Sequence, residues 1–197
     1  MAGSIPVDEG STLPPQLLDL SAAADCALDL ALESCARLMD LGAPSAAADR
    51  IRRGNAVARM HCCTSVTQEI AKSLSSLDRN VRAVFAPDHD LLFENLCSDA
   101  RTQGKPMVSL MIWTRHKTAR LDSLVAAWDR ALVQACREKI GAHEQAPLLD
   151  VHIVDDDEIQ NNLGADRRVV TATRVAVYWM WSTKQVVDIV YDRGEEL

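Results

Sequence analysis

The chain has 197 residues, is 48% apolar and 25% charged, and carries a formal net charge of −7. That length and composition support a sizeable core in one domain or two closely packed halves, and they exclude a chain without a core. The acidic balance gives no global attraction to nucleic acid or to an anionic membrane, so a polyanion would have to meet a local patch.

No apolar run approaches the roughly 18–20 residues needed to span a bilayer, and no basic segment followed by an apolar one opens the chain, so no membrane partner and a cytoplasmic location are expected. Residues 1–15, with Gly3, Ser4, Gly10, Ser11, Pro14 and Pro15, show no apolar period and read as loose. Six cysteines, at 26, 35, 62, 63, 97 and 136, form no C-x-x-C pair. They read as reduced thiols serving as small hydrophobes, and His61-Cys62-Cys63 lacks a second pair at zinc-ligand spacing.

From residue 16 to residue 104 the pattern is helical. Leu28, Ala31, Leu32, Cys35, Leu38 and Met39 recur on one face after Ser21 as N-cap, and Gly42 marks the end. A second helix is expected over 46–60, weakened by Gly54 and Asn55. Ser65-Val66-Thr67-Gln68 fits a capping box opening a short helix, which Ser75-Ser76 interrupts. A further helix over 77–85 carries Leu77, Val81, Val84 and Phe85 until Pro87, and another, capped by Asp88, runs through Leu92, Leu96 and Ala100 to Gly104.

At Gly104-Lys105-Pro106 the composition switches, and all four tryptophans lie beyond that point. The apolar run 107–113 reads as a strand covered on both faces. Leu121, Leu124, Val125, Trp128, Leu132 and Cys136 mark a long amphipathic helix ending at Gly141, and 148–154 reads as the next strand. This order predicts a parallel crossover. A short helix follows over 156–163, then a long alternating strand over 169–181 and a final strand over 185–191 pairing with it as a hairpin. The fold class expected is α+β: four to five helices in front, and behind them a four-stranded mixed sheet with one β-α-β crossover and a final hairpin, packed as one unit.

Two loops hold candidate chemistry. Arg115, His116, Lys117 and Arg120 leave one strand and open a helix, where free backbone N–H groups favour an anion such as phosphate. Asp155, Asp156 and Asp157, with Glu158, follow the next strand and offer hard oxygen ligands for Mg²⁺, although a helix-starting capping box explains the same residues. In a parallel crossover both loops leave the carboxyl ends of their strands and are expected to be neighbours. A salt-bridge cluster is the commoner outcome of such a meeting.

Residues 64–85 resemble a helix-turn-helix, carried by Thr67-Gln68-Glu69-Ile70-Ala71-Lys72-Ser73-Leu74 and Leu77-Asp78-Arg79-Asn80-Val81-Arg82. The resemblance covers about a tenth of the chain and lacks the usual turn glycine. It implies a DNA-binding face with Arg79, Asn80 and Arg82 as base- or phosphate-contacting residues. The leading expectation is a non-enzymatic interaction or regulatory protein, a homodimer joined through the Leu28, Leu32, Cys35 and Met39 stripe. No cofactor is expected unless the strand-end loops form a Mg²⁺-dependent phosphate enzyme.

Overall fold

A computed structural model describes residues 20–86, 108–141, 147–161 and 178–182. Residues 1–15, the helix expected over 88–104, most of the strand over 169–181 and the final hairpin strand lie outside the described residues. Five helices are described: α1 (Leu20–Leu38), α2 (Pro44–Arg52), α3 (Ala56–Leu77), α4 (Ala119–Lys139) and α5 (Asp156–Asn161). Four strands join them: β1 (Val81–Ala86), β2 (Val108–Thr114), β3 (Leu149–Asp155) and β4 (Tyr178–Ser182), in the sheet order β3-β2-β1-β4. Strand β1 pairs antiparallel with β2 and β4, while β2 and β3 run parallel. The protein is therefore a mixed α+β fold.

The first half departs from the sequence reading in three places. The helix expected over 46–60 is two helices, because Gly54, at φ 81°, ends α2 and the Asn55 side chain accepts from the Ala58 amide at 2.9 Å to start α3. Helix α3 then runs unbroken through Ser75-Ser76. The two hydroxyls donate back to the Lys72 and Ser73 carbonyls, each at 2.8 Å, and so support the turn they were expected to interrupt.

The expected helix over 77–85 is instead strand β1. Asp78 ends α3, and its carboxylate accepts from the Asn80 amide at 2.9 Å, a local turn that sends the chain into the sheet. A β-bulge sets Arg82 and Ala83 opposite Trp113, so Val81 and Val84 face the helices although they stand three residues apart. Three-residue spacing is also the helical signature. The bulge thus disguised a strand as a helix, and the sheet draws a strand from the front half of the chain.

One cluster of buried side chains joins both halves. It takes Val81 and Val84 from β1, Val108, Leu110 and Ile112 from β2, and Leu149 from β3, and packs them with α1, α2, α3 and α4. On the opposite sheet face Ala83, Phe85, Trp113 and Val154 form a smaller cluster with Met111 and Ile159. Helix α1 packs against α2, α3 and α4. Leu28, Leu32 and Cys35 are accordingly buried inside the chain and Met39 packs against the same core, so this stripe is not the dimer surface expected for it. At the far end of α4, Lys139 meets Asp29 of α1 at 2.7 Å. That hydrogen bond raises the ammonium pKa above its ordinary value.

Helix α4 starts at Thr118, whose hydroxyl accepts from the Leu121 amide at 3.2 Å. Its Asp129 carboxylate accepts from both the Leu148 and Leu149 amides, each at 2.8 Å, pinning the first residues of β3 to the crossover helix. The neighbouring Trp128 is 1% exposed, and its indole N–H has no hydrogen-bond partner among the described residues. Trp128→Ala is expected to destabilise the protein by about 3–5 kcal/mol in denaturant titration, because a large cavity opens. Trp128→Phe should cost distinctly less, since it fills most of that volume and removes the unpaired donor. Equal losses from the two would show that the N–H is not stranded.

Candidate functional site

The carboxyl ends of β2 and β3 bring the two expected loops together. Lys117 forms an ion pair with Glu158, linking the start of the crossover segment to α5. Glu158 also accepts from the Asp155 amide at 3.1 Å, and Asp155 accepts from the Glu158 amide at 3.0 Å. This reciprocal pair is a capping box, which satisfies two backbone donors at the start of α5.

Asp156 is the centre of the cluster. Its Oδ1 accepts from Trp113 Nε1 at 2.8 Å, and its Oδ2 accepts from Arg82 Nη2 at 2.6 Å. The Arg82 guanidinium stands 6.0 Å from the Trp113 ring centre, within cation–π range. Its Nε is buried without a partner among the described residues. Arg82 and Asp156 are each about one-fifth exposed, so this pair is better shielded than the Lys117–Glu158 pair, at 44% and 33%. Three elements, β1, β2 and α5, are tied at a single carboxylate.

The remaining expected residues are dispersed or engaged. Arg120 donates to the Leu77 carbonyl at 3.2 Å, fastening α4 to the end of α3. The Arg115 amide donates to the Asn80 carbonyl at 2.9 Å, and the His116 carbonyl accepts from the Thr114 hydroxyl at 3.1 Å, while both their side chains stand exposed. Asp157 is exposed on the first turn of α5. The trio read for DNA is split: Arg79 is exposed in the turn after α3, Asn80 serves the turn with its backbone, and Arg82 turns to Asp156. With a strand where the recognition helix belongs, residues 64–85 do not form a helix-turn-helix.

Asp155, Asp156 and Glu158 all engage protein donors, and among the described residues no group of three or more His, Cys, Asp or Glu is arranged to hold a metal ion. Trp113 and Asp129 are polar anchors that the sequence reading passed over. Both sit in apolar or amphipathic runs, where nothing local marks their N–H or carboxylate as a cross-link.

A second concentration of reactive groups lies in the core. Cys35, Cys62, Cys63 and Cys136 are buried, whereas Cys26 is exposed. Burial pushes the Cys62 thiol well above its ordinary pKa, and the neighbouring Cys63, Cys136 and Cys35 add to the effect. Burial raises Cys35 as well, and its Sγ lies 3.6 Å from the Ala58 carbonyl and 3.7 Å from Met39 Sδ. A thiol held protonated is a poor nucleophile and a poor metal ligand.

Comparison with protein-family models, with curated proteins and with solved structures gave no match. No helix among the described residues is long and apolar enough to cross a membrane.

Two outcomes check this geometry. Asp156→Ala leaves the Arg82 guanidinium and the Trp113 N–H without their acceptor, and should cost about 1–3 kcal/mol of stability; the exposed Arg115→Ala should stay within about 0.5 kcal/mol. Similar losses for both would remove Asp156 from its central place. For the thiols, the unfolded chain releases the Cys62 proton in the ordinary thiol range while the folded chain still holds it. Stability should therefore fall as pH rises through that range, and Cys62→Ala should flatten the fall in melting temperature, measured in reductant.

Proposed function

We propose that this chain is a non-enzymatic interaction or regulatory protein of the cytoplasm that self-associates. The observation that carries the reading is the state of the strand-end loops, the edge at which sheets of this kind usually bind ligands. There the chain's own groups occupy one another: Asp156 holds Arg82 and Trp113, Glu158 holds Lys117, and Asp155 and Glu158 cap α5. A Mg²⁺-dependent phosphate site would need those carboxylates for the metal, at the expense of the ion pair and the cap. The geometry thus favours a structural latch over a reaction centre.

Large apolar side chains stand exposed on the helices, Leu38 at 61%, Leu30 at 46% and Val57 at 42%, surface suited to a protein partner. Multi-angle light scattering tests the self-association directly. A mass near twice 21.6 kDa is expected, and 21.6 kDa at every concentration would remove it. Calorimetric titration with Mg²⁺ tests the other half of the reading. Saturable binding abolished by Asp156→Asn would restore the phosphate-enzyme alternative.

A further inference from the structure

Among the described residues, the outer edge of β3 is open to another strand over its middle alone. In the parallel pairing with β2, the Val108 amide donates to the Leu148 carbonyl. Alternate residues of a strand turn their backbone groups to opposite sides, so Leu148, Asp150, His152 and Val154 face β2. Leu149, Val151, Ile153 and Asp155 face outward, and β3 has no strand on that side among the described residues. Carboxylates close both ends of this edge: Asp129 takes the Leu149 amide and Glu158 takes the Asp155 amide. Between them Val151 and Ile153 present their backbone outward. Their half-buried β-branched side chains pack against the main core.

Sheet edges are usually blunted by lysine, proline or a bulge. Residues 149–155 contain no lysine or proline, and the pairing of β3 with β2 is regular along its length, unlike the irregular ladders of β1. The sequence of the strand is also complementary to itself. Turned antiparallel about Val151, it sets Val151 against itself, Leu149 against Ile153 and Asp150 against His152. Moving the axis one residue to His152 sets Val151 against Ile153 but Leu149 against Asp155, Asp150 against Val154 and His152 against itself, which keeps one apolar pair and loses the carboxylate–imidazole pair. Asp150 and His152 are exposed on the same face of the sheet. Of these two registers only the one about Val151 pairs carboxylate with imidazole and leaves no apolar residue against a carboxylate.

We infer that β3 is the surface through which two copies of this chain associate, antiparallel about Val151, making one sheet continuous across the dimer. The inference rests on the self-associating reading above and gives it a place and a register. Val151 exchanges its N–H and C=O with Val151 of the second copy. Each Ile153 amide donates to the opposing Leu149 carbonyl, so the Leu149 amides keep Asp129. A carboxylate opposite an imidazole can accept its N–H, whereas two carboxylates directly opposite repel, which makes Asp150 and His152 the residues that select this register.

The test is sedimentation equilibrium of the full chain in four forms: wild type, His152→Asp, Asp150→His and the double exchange Asp150→His/His152→Asp. Both positions are exposed, so circular dichroism should show all four equally folded. His152→Asp places carboxylate against carboxylate twice, by symmetry, and should raise the dimer dissociation constant about tenfold. Asp150→His should weaken the dimer too, and the double exchange should restore it to within about threefold, since the pair is rebuilt with its members swapped. A dimer indifferent to His152→Asp, or one the double exchange fails to rescue, overturns the β3 interface while leaving self-association standing. A wild type that stays monomeric overturns both.

Discussion

The fold depends on α1 being able to touch three other helices at once. Its buried positions are Ala24, Ala27, Leu28, Ala31, Leu32, Cys35 and Ala36, four of them alanine. Small side chains let neighbouring helix axes approach closely, and α2, α3 and α4 all pack against this one helix. Large residues at those positions would push α3 and α4 apart, and both contribute side chains to the core beneath one face of the sheet. The bulk that alanine does not supply comes from the sheet side and from α4, in Trp128, Leu121, Leu132, Leu110 and Ile112. An alanine-rich front half thus completes its core with side chains from the back half rather than with a second molecule.

The same logic explains where the cysteines are. Cys35 on α1, Cys62 on α3 and Cys136 on α4 occupy the layer where three helices meet, and each is buried. A thiol is close in size to the alanines around it, and burial keeps it protonated. Its presence there needs no redox or metal role.

How much of this could be read in the sequence depended on whether a signal was local. The runs at 107–113 and 148–154 and the period of Leu121, Trp128, Leu132 and Cys136 gave β2, β3 and α4 to within a residue or two at most ends. Asp155 and Glu158 stand at capping-box spacing, and the structure forms that box. The proximity of the two strand-end loops followed from topology alone. What failed was long range. Short apolar runs are ambiguous between strand and helix, and the bulge at Arg82-Ala83 tipped 81–86 the wrong way. No spacing rule connects Asp156 to Arg82, 74 residues earlier, or Asp129 to the start of β3.

Five of the acids share one structural task. Asp78, Asp129, Asp155 and Glu158 each accept from a backbone amide at a place where a helix or a strand begins or ends. An amide at such a place has no ladder or helix partner, and leaving it unpaired in a partly buried setting costs more than an ordinary hydrogen bond yields. A carboxylate answers that need better than a neutral acceptor, because charge-assisted hydrogen bonds are shorter and stronger. Asp156 extends the device to side chains, holding an indole N–H and a guanidinium with its two oxygens. The carboxylates clustered after β3 thus act chiefly as connectors within the chain. The side chains of Arg115 and His116, by contrast, stand exposed. Where a sheet edge is usually read for a ligand, this chain turns its acids to its own backbone, and among the described residues the apolar helix positions and the middle of β3 stay uncapped.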